Sequence, residues 1–237
     1  MLDTIDSTNA EAMRRATGLT QPTWIVAGEQ TAGRGRRARA WSSPRGNFYG
    51  TLVMHPEGPV DTVALRSFAA ALALRDALVA LTGLPGSLAL KWPNDVLLNS
   101  GKLAGILLEG TSGAGRPLLC IGIGINLIAA PDAAQVEPGA VPPVSLLAET
   151  GLRVTPGQML DALAPAYARW EGALRDEGFA PLRAEWLAHA ARLGERIVAR
   201  TATATREGVF RGIDAGGALL LDTGREIVPV PAADVFF

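Results

Sequence analysis

Lysine is nearly absent from this chain of 237 residues. Only Lys91 and Lys102 occur among 22 basic residues, and the rest are arginine. Where a generic positive charge suffices, this sequence uses Arg. The two retained ammonium groups point to positions where a compact, mobile charge is needed, as around a reacting phosphate; two leftover surface lysines are the alternative. Cysteine is scarcer still. The single Cys120 excludes an internal disulfide, and its neighbours Leu118, Leu119 and Ile121 suggest a buried structural thiol rather than a nucleophile. The two histidines, His55 and His189, are too far apart for metal-ligand spacing. A net charge of −1 excludes a global pull toward nucleic acid or anionic membrane. No apolar run reaches membrane-spanning length. The first residues lack the basic and apolar regions of a signal peptide, so the expected setting is cytoplasmic, with no membrane partner.

Hydrophobic residues make up 48% of the chain, enough for a sizeable core in one large domain or one domain plus a small module. Thr8 and Glu11 have the spacing of a capping box opening a helix over 9–16. Residues 23–27 and 47–55 are predicted strands. The stretch 28–45 between them is rich in Gly and Arg and aperiodic, a long loop of a length uncommon without a function. Leu65, Phe68, Leu72 and Val79 fall on one face of a helix over 62–81. Strands over 96–98 and 102–109 flank the turn Asn99-Ser100-Gly101.

In a strand over 117–127, Ile121, Ile123, Ile125 and Leu127 share the core face, and Gly122, Gly124 and Asn126 the other. That glycine face leaves room either for something flat or for a closely packed helix. A Pro/Ala-rich connector over 131–143 leads to helices at 156–177 and 181–190. Short strands at 197–199, 208–213, 218–221 and 227–230 then form a small β-barrel module. The expected domains are 1–190 and 191–237, and there is no internal repeat.

The densest charge is Gly33-Arg34-Gly35-Arg36-Arg37-Ala38-Arg39. It superficially fits a dinucleotide fingerprint, but Trp41-Ser42-Ser43-Pro44 follows where that motif needs a helix. Gly101-Lys102-Leu103 lacks the spacing and the Ser/Thr of a Walker A loop. What remains is a glycine-hinged loop of guanidiniums suited to carboxylate or phosphate; a solvated basic loop is the alternative. In Lys91-Trp92-Pro93-Asn94-Asp95, Pro93 biases Trp92 to an extended shape. Lys91 then stands at a strand end, with Asn94 and Asp95 in a turn. Asp95 is a candidate oxygen ligand for Mg2+; a turn-stabilising Asn-Asp pair is the alternative.

Together these segments resemble the biotin protein ligases. The matching pieces, in order, are Ser7-Thr8-Asn9, the run from Gln30 to Arg36, Lys91-Trp92-Pro93-Asn94-Asp95, Lys102-Leu103-Ala104-Gly105-Ile106-Leu107, and Gly122-x-Gly124-x-Asn126. The C-terminal stretch from Gly212 to Leu220 matches as well, so the resemblance spans the chain. It implies an α+β fold, a mixed sheet flanked by helices as in class II aminoacyl-tRNA synthetases, with an SH3-like C-terminal barrel.

The resemblance also implies ATP and biotin as substrates with Mg2+. Biotin is activated to biotinyl-5'-adenylate and passed to a lysine of a biotin carboxyl carrier domain of a carboxylase. On this reading Ser7, Thr8, Asn9 and Gln30 bind the ureido ring. Gly33, Arg34, Gly35, Arg36, Lys102, Gly105, Gly122 and Gly124 complete the biotin slot, and Lys102 and Arg36 are catalytic. Arg36, Arg37, Arg39, Trp41, Lys91, Asn94 and Asn126 serve ATP, and Asp95 serves the metal. Many relatives carry an N-terminal DNA-binding helix-turn-helix. Ser7 stands so close to Met1 that the ligase-only type, with no DNA partner, is expected; a homodimer is compatible with it. The rivals are a lipoate or octanoate ligase of the same superfamily, a nucleic-acid-binding module, and an interaction protein using the barrel as adaptor.

Overall fold

The computed structural model describes residues 1–57, 59–111, 117–132 and 136–237. Part of the 131–143 connector lies outside the described residues. The larger sheet has seven strands: β1 (Leu2–Ile5), β2 (Thr23–Gln30), β3 (Phe48–Met54), β4 (Leu88–Lys91), β5 (Asp95–Leu98), β6 (Gly101–Thr111) and β7 (Leu118–Ile125). Their spatial order is β1-β2-β3-β7-β6-β5-β4. β1 runs parallel to β2 and the other pairs are antiparallel, so the sheet is mixed as expected.

Helices cover both faces. On one lie α2 (Arg66–Thr82), α4 (Pro156–Glu177) and α5 (Phe179–Ala188), packed with the Ile121, Ile123 and Ile125 face of β7. On the other, Ala12 and Ala16, in and just beyond α1 (Thr8–Arg15), pack against Ile25, Val53, Leu118 and Cys120. Burial pushes the Cys120 thiol up to about 11, as suits a structural thiol. α3 (Leu146–Thr150) is a single short turn capped by Ser145. The smaller sheet is antiparallel, in the order β11-β10-β9-β8-β12. It is built from β8 (Arg196–Arg200), β9 (Thr205–Ile213), β10 (Leu219–Asp222), β11 (Ile227–Val230) and β12 (Asp234–Phe236). Among the described residues no helix is long and apolar enough to cross a membrane.

Several local expectations are corrected. The Thr8/Glu11 capping box does not form. Ser7 is the N-cap without a side-chain cap bond, Thr8 turns to Gln30, and Glu11 pairs with Arg14 and Arg15. A true capping box stands at Thr155 and Gln158, ahead of α4. α2 begins later than expected, after a 3-10 turn over Val60–Leu65. It is buried nearly all round rather than on one face, because the sheet, α4 and α5 all pack against it. Asp95 is not in the turn after Pro93; it opens β5 and pairs in register with Lys91. β1, α3 and β12 were not anticipated.

Candidate functional site

The glycine face of the larger sheet, the start of α1, the arginine loop and the β12 edge enclose one cavity of about 940 Å3. That is within the ~300–1,000 Å3 of small-molecule sites. Every predicted site residue except Arg37 lines it.

One end is neutral and closed. Ser7, Thr8 and Asn9 are buried at the α1 terminus, because α1 rests on the sheet through small residues. The Thr8 backbone N–H and hydroxyl donate to Gln30 Oε1 at 2.8 and 3.1 Å. Gln30 Nε2 donates to Ser43 Oγ at 3.0 Å, and that hydroxyl donates to the Trp41 carbonyl. Thr51, fully buried on β3, lies 2.8 Å from Thr8 Oγ1 and donates to Asn9 Oδ1 at 2.6 Å. Asn9 Nδ2 donates to Glu109 Oε2 at 2.7 Å. The side-chain polar groups of Thr8, Asn9, Gln30, Ser43 and Thr51 therefore each have a partner, as burial requires.

The glycine face resolves its two alternatives as both. A side chain on Gly122 would strike the Asn9 amide of the packed helix. At Gly124 a Cβ would come within 2.6 Å of the Trp41 indole. The flat group over the floor is thus Trp41 itself, which also lies 3.2 Å from the Cβ position at Gly105. Its Nε1 is buried without a partner, and Lys102 Nζ stands 5.5 Å from its ring.

The other end is cationic. Lys102 Nζ lies 2.8 Å from Asp95 Oδ1, an ion pair out of line for a directed hydrogen bond. Lys91 Nζ lies 3.7 Å from Asp95 Oδ2. Burial pulls the Lys91 pKa below its ordinary value, against the opposing pull of Asp95. Both lysines of the chain thus share one carboxylate. Arg36 donates to the Ala233 carbonyl, and burial lowers its pKa against the nearby Asp234 and Asp95 charges. Arg37, with a left-handed φ of 55°, leaves the cavity wall and meets Asp234 at 2.7 Å. Arg39 reaches Asp234 at 2.5 Å and Glu137 at 3.1 Å. Burial works to raise the Asp234 carboxyl, and Arg39, Arg37 and Arg36 outweigh it, holding it below the usual range.

Three predicted roles look different in this geometry. Arg34 turns away from the cationic cluster and forks onto Glu109 at 3.2–3.3 Å. Asn94 Nδ2 is bonded to the Ile106 carbonyl and Asn126 Nδ2 to the Val144 carbonyl, so both side chains brace the wall. Asp95 is neutralised by two lysines, and among the described residues no cluster of three or more His, Cys, Asp or Glu could hold a metal ion. These residues do not fit a resident Mg2+ site.

Thr51 and Glu109 went unnoticed in the sequence. Glu109 carried a signal: counting by twos from Gly105 places it on the cavity face, where a charge needs a reason.

Residues 1–126 match the Biotin/lipoate A/B protein ligase family, and residues 193–237 the Biotin protein ligase C terminal domain. The biotin–[acetyl-CoA-carboxylase] ligase of Paracoccus denitrificans is 58% identical over 240 residues, covering 100% of this chain and 99% of the relative. The bifunctional ligase/repressor BirA of Bacillus subtilis is 32% identical, covering 98% of this chain and 72% of the relative. In fold, the biotin protein ligase of Aquifex aeolicus in complex with biotin and ATP superposes with a TM-score of 0.84. It shares 24% identity, with 99% of this chain and 95% of that one covered. The chain belongs to the biotin protein ligases.

Proposed function

We propose that this enzyme activates biotin with ATP and passes it to a lysine of a carboxylase carrier domain. The observation that carries the proposal is the polarity of the cavity. A satisfied, neutral, glycine-floored end suits an uncharged bicycle, and a cluster of cations suits a carboxylate and a triphosphate.

A biotin carboxylate oxygen bonds to the α-phosphorus of ATP. The bond to the β-phosphate oxygen breaks, and pyrophosphate leaves. The carrier amine then attacks the acyl carbon, AMP leaves, and the amine loses a proton. No enzyme nucleophile is needed, in keeping with a buried Cys120. Catalysis is positioning and charge stabilisation. Ser7, Thr8, Asn9 and Gln30 orient the ureido ring, while Gly122 gives Asn9, and Gly105 and Gly124 give Trp41, the room to lie against the sheet. Lys102 and Arg36 meet the reacting carboxylate and phosphate, while Lys91 and Arg39 take the remaining phosphate charge. Mg2+ enters as the counter-ion of the triphosphate, as part of the substrate. Residues 1–190 form the catalytic unit and 191–237 a barrel that closes its cationic end through Asp234. The proposed setting is the cytoplasm.

Calorimetry tests this reading. Biotin should bind alone with one-to-one stoichiometry, and ATP should bind more tightly after it. Lipoate should give no heat. Binding of lipoate in place of biotin would overturn the assignment.

A further inference from the structure

Glu109 lies beside the neutral end, outside the cavity lining, and it holds two groups at once. It stands on β6 opposite Cys120, and the strand alternation that puts Gly105 and Leu107 in the cavity wall puts Glu109 on the same face. Its side chain is 30% exposed. It accepts from Asn9 Nδ2 at 2.7 Å and from Arg34 Nε and Nη2 at 3.2–3.3 Å.

The chemistry of the Asn9 contact is directional. An amide has an oxygen face and an NH2 face, and either way round fits the same space. Thr51 does not choose between them, because a hydroxyl both donates and accepts. An ionised carboxylate only accepts, so Glu109 holds the NH2 group on its own side and leaves Oδ1 toward Thr51. Gly122 leaves no other room, since its missing Cβ is where the Asn9 amide lies. The Arg34 fork fastens the arginine loop to the same carboxylate.

We propose that Glu109 is a positioning residue. It fixes the orientation of the Asn9 amide, and so the hydrogen-bond pattern offered to the ring that binds there, while mooring the loop through Arg34. This rests on the reading of the neutral end as a biotin site.

The experiment is a comparison of Glu109→Gln with wild type in biotin binding and in pyrophosphate release. Wild-type binding of biotin comes first; its absence would defeat the biotin reading itself rather than the role of Glu109. Given that binding, Glu109→Gln should raise the biotin KM on the order of tenfold, the scale of one lost charged hydrogen bond. kcat at saturating biotin and the KM for ATP should stay within about twofold, on the small scale of an exposed ion pair such as Arg34–Glu109. A merely structural role would raise both KM values and lower kcat together with the melting temperature. In an Asn9→Ala background the same substitution should have little further effect on biotin, because the group it orients is gone. Arg34→Gln should cost biotin less than Glu109→Gln. If Glu109→Gln fails to fold, Glu109→Asp decides: it keeps the charge with a shorter reach and should show the same biotin-specific loss, reduced in size. An unchanged biotin KM in a folded variant, or an equal loss with and without Asn9, would overturn the proposal.

Discussion

The two ends of the cavity are built on opposite plans. At the neutral end, Thr8, Asn9, Gln30, Ser43 and Thr51 are joined in a continuous chain of hydrogen bonds, and all but Gln30 are buried. At the cationic end, the buried Lys91 and the more open Lys102, Arg36, Arg37 and Arg39 are held by carboxylates: Asp95 for the lysines, Asp234 and Glu137 for the arginines. That network can be finished in the folded protein, because the carboxylate it touches, Glu109, is already paired with Arg34. A cluster of cations cannot stand alone without repulsion, so it borrows anions that substrate phosphates can replace. The arginine loop therefore does not wait for an anion before its charges are balanced, as its composition alone suggests.

Breaking each end separately sharpens that contrast. The largest effect belongs to Lys102. Lys102→Arg keeps the charge but replaces a compact ammonium with a longer planar fork, so the point charge set between Asp95 and the Trp41 ring is displaced. Single-turnover formation of the adenylate should slow on the order of 10²-fold, the scale of one lost charge-stabilising donor. Near-normal turnover would remove Lys102 from the mechanism.

Next comes the neutral end. Thr51→Val has nearly the same shape but leaves Asn9 Oδ1 without its donor, while Thr8 Oγ1 keeps Gln30. Burial of an unsatisfied group costs about 1–3 kcal/mol. Thermal unfolding should show that loss of stability, together with weaker biotin binding. Lost binding without lost stability would mean that the network is not preformed.

Asp234→Asn should do the least, and of a different kind. At neutral pH stability should fall slightly, hydrogen exchange over residues 33–45 should quicken, and the ATP KM should rise roughly two- to fivefold, as expected of a partly exposed ion pair. The Asp234 carboxyl is held below its unfolded value. Its contribution is therefore fully present above the ordinary aspartate value of about 3.9 and is lost as pH falls through the lower folded value. The difference in stability between wild type and Asp234→Asn should shrink over that acid window. A difference independent of pH would argue against the latch.

The sequence revealed much of this architecture where a pattern is local. Helix 156–177 is read between Pro156 and Gly178, and the structure places α4 over those residues even though Pro165 lies inside it. The alternation through Gly122 and Gly124 placed the floor on the correct face. What escaped depends on distant partners. β1 and β12 are three or four residues each and exist only because β2 and β8 pair with them. Thr51 is one polar residue in a strand otherwise read as core, and its role appears only when α1 lies over it. The arginines could be read as anion binders, but not that Asp234, nearly 200 positions away, would meet Arg37 and Arg39 first.

The most direct test of the whole account is pyrophosphate release by the wild-type enzyme with biotin, ATP and Mg2+ in the absence of any carrier. A closed cavity that makes and keeps an adenylate, with no nucleophile of its own, should release about one pyrophosphate per site and then stop, because transfer needs an acceptor amine. Sustained release of AMP and free biotin under those conditions would contradict it.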